Sequence, residues 1–235
     1  MLNFAKHKFI NGVKMIITID GPAAAGKGTL AGILAKTYNL AYFDTGMVYR
    51  AVGLDILLHN ENPNDEDLAT KYAEELTFTK MNELAKNKDF RSSIGGKYAS
   101  IVSAHPRVRS ALLHMQQNFA KNPTFEDGRP ANGAVFDGRD TGTVVCPEAD
   151  IKLFITATTE VRAMRRFKEF QAKGMDIEFS QVLNDMKERD ERDASRATSP
   201  MRPADDAVVF DTSMMSIDEV LDFSLKIIDK KLKNS

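Results

Sequence analysis

The sequence predicts an α/β protein in which a parallel sheet is flanked by helices. Short apolar runs rich in β-branched residues, each ended by polar or turn residues, alternate with helical patterns, which is the order a parallel sheet requires. Near the start of the chain, strand, glycine loop and helix follow one another directly.

Residues 15–19 (MIITI) read as a buried strand stopped by Asp20, Gly21 and Pro22. A helix opens at Lys27 and runs through Leu30, Ile33 and Leu34 towards Tyr38. Residues 134–136, 151–155 and 207–210 read as further strands, and residues 45–58, 159–173 and 217–231 as further helices. Leu112, Met115 and Phe119, like Leu221, Leu225 and Ile228, form stripes expected to face a core. Residues 60–124, polar and mixed, and residues 174–203, dense in charge, break the alternation and read as insertions. Residues 121–133 carry Pro123, Gly128, Pro130 and Gly133 and are expected to form an exposed loop. Residues 1–14 are expected to be a frayed tail, with Met15 as an alternative start, and residues 15–235 to form one domain.

Composition narrows the function. With 32 basic and 33 acidic residues the net charge is −1, which supplies no field to hold a nucleic acid non-specifically. One cysteine, Cys146, can form neither an intrachain disulfide nor a cysteine-rich zinc site, in keeping with a reducing compartment. No apolar stretch approaches the ~20 residues of a membrane-spanning helix.

The chemistry begins at Gly21-Pro22-Ala23-Ala24-Ala25-Gly26-Lys27-Gly28-Thr29. Such a loop turns successive backbone N–H groups inward, the following helix adds its partial positive end, and Lys27 can reach the β- and γ-phosphates of ATP. Gly28 stands where Ser or Thr usually follows the lysine, with Thr29 one place later, so Mg2+ is expected to be held through water and phosphate oxygens, with Thr29 and Asp137 as indirect ligands.

Asn87-Lys88-Asp89 has the wrong spacing and polar flanks for a guanine-reading motif, which disfavours a regulatory GTPase. Residues 135–138 (VFDG) supply one acidic residue at a strand end where a motor ATPase usually carries two. A small-molecule kinase remains, and it needs cations to clamp the acceptor and a site shielded from water. Arg189, Arg192 and Arg196 fall at helical offsets within the charged insertion. Arg162, Arg165 and Arg166 lie one turn apart beyond the strand ending near Ile155, where they could border ATP. Asp44-Thr45-Gly46, followed by Tyr49 and Arg50, is a helix cap that becomes a candidate acceptor site beside a phosphate loop.

These blocks together resemble the bacterial cytidylate kinases from Met15 onward. The match rests on IDGPAAAGKGT (19–29), FDTGMVYR (43–50), PRVR (106–109), DGRDTGTVV (137–145) and KERDERDASR (187–196). The resemblance implies a P-loop nucleoside monophosphate kinase fold with an acceptor-binding insertion (60–124) and a short lid (174–203), working as a cytoplasmic monomer on ATP and CMP or dCMP. It implies that Arg50, Arg139 and Arg196 hold the acceptor phosphate, that Arg189 and Asp193 meet the sugar hydroxyls, and that Ser100, Arg109 and Asp140 read the base. Lys27, Arg139, Arg189 and Arg196 are then the catalytic residues, with Arg162 and the loop binding ATP and Thr45 on the acceptor side. Where the family usually has a further glycine in the loop, this chain has Ala24. A UMP kinase is the main rival, and an inactive nucleotide-binding module the rival from another class.

Overall fold

The computed structural model describes residues 14–233. Five strands form one sheet: β1 (Met15–Asp20), β2 (Ala41–Asp44), β3 (Gly133–Gly138), β4 (Ile151–Thr156) and β5 (Val208–Asp211). Their order is β2-β3-β1-β4-β5 and every pairing is parallel. The expected tail, residues 1–13 of it, lies outside the described residues. Among the described residues no helix is long and apolar enough to cross a membrane.

Nine α-helices surround the sheet among the described residues: α1 (Lys27–Tyr38), α2 (Gly46–Leu58), α3 (Glu66–Glu74), α4 (Phe78–Leu84), α5 (Ser93–Val102), α6 (Pro106–Lys121), α7 (Thr159–Ala172), α8 (Phe179–Ala194) and α9 (Ile217–Lys233). The expected helices at 45–58, 159–173 and 217–231 correspond to α2, α7 and α9, each within two residues at either end. Residues 60–124, expected as an insertion with a core-facing stripe at Leu112, Met115 and Phe119, fold into α3 to α6, joined in part by a 3₁₀ turn at Lys88–Arg91, and the stripe on α6 packs into the core. The charged segment 174–203 is mostly α8.

Strand alternation divides the core in two. Ala134 and Phe136 of β3 point to a cluster built on α2 and the helices of residues 60–124, while Val135 joins Ile17 and Ile19 in a second cluster under α1 and α9. In the first, Phe43, Phe119 and Phe136 meet with ring centroids 4.6, 5.6 and 5.9 Å apart. A small third cluster, Ala163, Val182 and Met186, seats α8 on α7. The β-hairpin-like turn at residues 124–130 is closed by the Thr124–Pro130 bridge and by Arg129 over the Phe125 ring.

The register brings the functional ends together. Ile19 pairs with Asp137, Asp20 with Gly138, and Asp44 with Asp137, so the carboxyl ends of β1, β2 and β3 open onto one edge. The chain continues to β3 on one side of β1 and to β4 on the other, and the crevice at such a switch point is where open α/β sheets bind ligands.

Candidate active site

The phosphate loop leaves β1 and feeds α1 through Gly26, whose φ of 97° lies in the left-handed region that glycine enters without a Cβ penalty. Ala24 occupies the same region at φ 59°, the turn expected of a loop that lacks the further glycine. Lys27, only 5% exposed, donates from Nζ to the Pro22 carbonyl at 2.8 Å and lies 3.8 Å from Asp137 Oδ1. Burial pushes Lys27 down to about 7, Arg139 adds to the effect and Asp137 opposes it.

Arginines form the opposite wall. Asp193 of α8 accepts from Arg139 Nε at 2.9 Å and from Arg196 Nη2, with Arg189 Nε 4.0 Å away. Burial works against the charge on Asp193, yet Arg139, Arg196 and Arg189 hold its carboxyl below the usual range. Burial, then Arg139, pushes Arg189 down to about 9, which leaves it charged at neutral pH. Arg50 donates to the Phe90 carbonyl at 2.9 Å and is pushed down to about 10, first by burial and then by Arg166. Deeper in, Arg109 and Asp140 form a buried ion pair; Arg109 also donates to the Ser103 carbonyl at 3.2 Å and lies 5.2 Å from the Tyr49 ring centroid.

These groups enclose a cavity of about 780 Å³ lined by ten lysines and arginines against five carboxylates. The chain as a whole carries a net charge of −1, so its positive charge is concentrated here. Nε of Arg109, Arg189 and Arg196 is buried without a protein acceptor. Buried donors need partners, and a cavity with a surplus of cations suits a polyanion such as a nucleotide.

Of the residues singled out from sequence, Ala23 to Thr29, Thr45, Arg50, Arg109, Asp137, Arg139, Asp140, Arg189, Asp193 and Arg196 line this cavity. Thr45 is tied to the Asp137 carbonyl by its N–H at 2.9 Å and its hydroxyl at 2.8 Å. Gly21 and Pro22 lie behind the loop, outside that lining. Ser100 is 3% exposed and accepts from Arg192 Nε at 3.3 Å, whereas Ser103, one turn on, faces the cavity and accepts from Arg196 Nη2 at 3.1 Å. Arg162 is also outside the lining, its guanidinium turned to protein oxygens. Arg165 and Arg166 are inside it.

Sequence reading missed Ser103 and gave Asp20 only the role of a strand stop. Asp20 accepts from Thr141 N, Thr141 Oγ1 and Gly142 N at 2.8, 2.8 and 2.7 Å, clasping the loop after Arg139 and Asp140 to the stem of the phosphate loop. Burial raises its carboxyl to about 6 against the pull of those bonds. No spacing rule links residues so far apart in the chain.

Among the described residues no group of three or more His, Cys, Asp and Glu could hold a metal by itself. What the site offers a magnesium nucleotide is Asp137, with room beside it: a Cβ on Gly28 would come within 3.2 Å of Asp137 Oδ2. A serine or threonine at position 28 would crowd that carboxylate, which fits ligation through water.

A phosphate loop at the switch point of a parallel sheet, faced across a cationic cavity by Arg139 after β3, Arg189 of α8 and Arg196 just beyond it, defines a P-loop nucleotide phosphotransferase of the small-molecule kinase class. The cytidylate kinase family profile matches residues 17–230, and the chain belongs to that family. It is 48% identical over 217 residues to the cytidylate kinase of Rhodospirillum rubrum, covering 92% of this chain and 98% of that protein. It is 49% identical over 216 residues to the cytidylate kinase of Paramagnetospirillum magneticum, with 92% and 98% covered. Among solved structures, a shikimate kinase from Bacteroides thetaiotaomicron is similar at a TM-score of 0.47 and 13% identity, covering 93% of this chain and 98% of that one, a likeness too loose to carry weight.

Proposed function

We propose that this protein transfers the γ-phosphoryl group of ATP to CMP or dCMP, giving ADP and CDP or dCDP. Membership of the cytidylate kinase family supports the reaction. The observation that carries the acceptor's identity is the buried Arg109–Asp140 pair at the acceptor side of the cavity. Cytosine offers an exocyclic amino donor to a carboxylate, while its ring nitrogen and carbonyl suit arginine or serine. Uracil would set an oxygen against Asp140, and a site built to hydrogen-bond one partner rejects the wrong one heavily.

In this reading the helices of residues 60–124 form the acceptor-binding insertion and α8 the lid. Arg50, Arg139 and Arg196 take the acceptor phosphate; Arg189 and Asp193 meet the sugar. Ser100, paired with Arg192 outside the cavity lining, and Arg162, bonded to the Ala23 carbonyl, act on the base and on ATP through their neighbours and not by contact. A phosphate monoester with a second pKa of about 6 is already mostly dianionic at neutral pH, so no side chain need take its proton. The protein's part is positioning and charge: Lys27 and the arginines align donor and acceptor and offset charge on the transferring group. Magnesium, when bound with ATP, neutralises phosphate charge, and Asp137 and Thr29 would hold it through water. We carry over from the resemblance a cytoplasmic monomer.

The test is ADP release by purified protein with ATP and magnesium, comparing CMP, dCMP, UMP, AMP and GMP at equal concentration. Release confined to CMP and dCMP is expected. Release with UMP or AMP instead would discard the base-reading assignment, and no acceptor-dependent release would discard the reaction.

A further inference from the structure

Arg162 sits in the first turn of α7, where a cation opposes the helix dipole, and is nonetheless only 4% exposed. Its guanidinium joins four elements. Nε donates to the Ala157 carbonyl after β4 at 2.8 Å, and Nη1 to the Ala23 carbonyl of the phosphate loop at 3.4 Å. Nη2 donates to Thr159 Oγ1 at 2.9 Å, and the two terminal nitrogens clasp Asp190 of α8 as a fork, at 3.1 and 2.7 Å. Bidentate pairing of this kind fixes orientation as well as distance.

Asp190 and Asp193 are one turn apart on α8 and anchor it to different parts of the protein. Asp193 holds Arg139 and Arg196, which line the cavity and meet ligand in the reading above. Arg162 does not line the cavity, and all of its nitrogens are engaged by protein oxygens. Asp190 is also the immediate neighbour of Arg189, which does line it.

We propose that Arg162 is a positioning residue: with Asp190 it pins the lid helix to the phosphate loop and thereby sets Arg189 in the cavity, where it meets the acceptor. The proposal rests on the phosphotransfer reading. The Asp193 anchor is made by cavity-lining arginines, whereas the Arg162 anchor lies outside the cavity. A shift of about 1 Å in a positioning group can cost about a hundredfold in rate.

The test compares Arg162→Met, Asp190→Ala and the double variant with wild type in steady-state kinetics, varying ATP and CMP separately, together with hydrogen exchange of residues 179–194. The expected result is a fall in kcat of about tenfold to a hundredfold in each single variant. The double variant should be no worse than the worse single, and exchange across α8 should be faster in all three. In Asp190→Ala the guanidinium keeps the Ala157 and Ala23 carbonyls and Thr159 Oγ1 as acceptors, and a native circular dichroism spectrum of that variant keeps the test readable where Arg162→Met fails to fold. Wild-type kcat in Asp190→Ala, or losses that multiply in the double variant, would overturn this proposal alone. A wild type that releases no ADP with any acceptor would overturn the phosphotransfer reading, and this proposal with it.

Discussion

Lys27 and Asp137 stand 3.8 Å apart, ammonium to carboxylate, with only 5% and 14% of their side chains exposed. Burial pushes Lys27 down from its ordinary 10.5 to about 7, so losing its proton is easier in the ligand-free protein than in solution. ATP phosphates favour the charged form. Calorimetry at pH 8 in buffers of different ionisation enthalpy should show net proton uptake on ATP binding, and less of it in Lys27→Met. Between about 7 and 10.5 the folded state holds fewer protons than the unfolded one, so the stability of the ligand-free protein should rise with pH there and flatten in the variant. Turnover in Lys27→Ala should fall by about a hundredfold or more with the fold intact by circular dichroism. Retained activity would remove Lys27 from the mechanism.

Replacing Asp140 by Ala strands the Arg109 guanidinium, which is 7% exposed. Breaking a buried pair from one side costs about 3–5 kcal/mol, and the melting temperature should drop accordingly. The ratio of kcat/KM for CMP over UMP should fall by about tenfold or more, because the carboxylate that opposes the uracil oxygen is gone. Equal loss on both acceptors would sink the base-reading role.

Ser100 and Ser103 can be separated by parallel alanine variants. Ser103 faces the cavity and holds Arg196, whereas Ser100 sits behind with Arg192. Ser103→Ala should raise KM for CMP by about threefold to thirtyfold, the worth of a hydrogen bond to a charged group lost in part or whole. Ser100→Ala should change it less. The reverse order would uphold the base-reading role that the resemblance gives Ser100, despite its burial.

Ala24→Gly should stabilise the protein. An alanine held at φ 59° carries about 1–2 kcal/mol of left-handed strain, against about 0.4–1 kcal/mol of added chain freedom when glycine is unfolded. Differential scanning calorimetry should show a rise of about 1–4 °C. A fall would mean that the alanine methyl contributes packing that outweighs its backbone strain.

Most of the architecture was legible because four strands are apolar runs and the flanking helices have clear stripes. β2 was not, because Ala41 to Asp44 offers only four residues, of which Ala41 and Phe43 are buried and Tyr42 is exposed, too short for a period to register. The helices α3, α4 and α5 are 9, 7 and 10 residues long; shortness and polar residues hid the first two, and Gly95-Gly96 interrupted the helical pattern of the third. At the site, the phosphate loop and the arginines could be read because their chemistry depends on spacing within one segment. The partners of Asp20 and Arg162 could not, since Thr141 is 121 residues from the one and Asp190 is 28 from the other. Such pairs are set by tertiary packing alone.

One carboxylate, that of Asp193, serves both Arg139 and Arg196. Loss of the acid would leave two guanidinium groups pressed together with nothing between them; loss of either arginine would shift the other's share of the charge. Three positions on two segments of the chain therefore behave as one unit: the cost of changing any one of them depends on which residues occupy the other two.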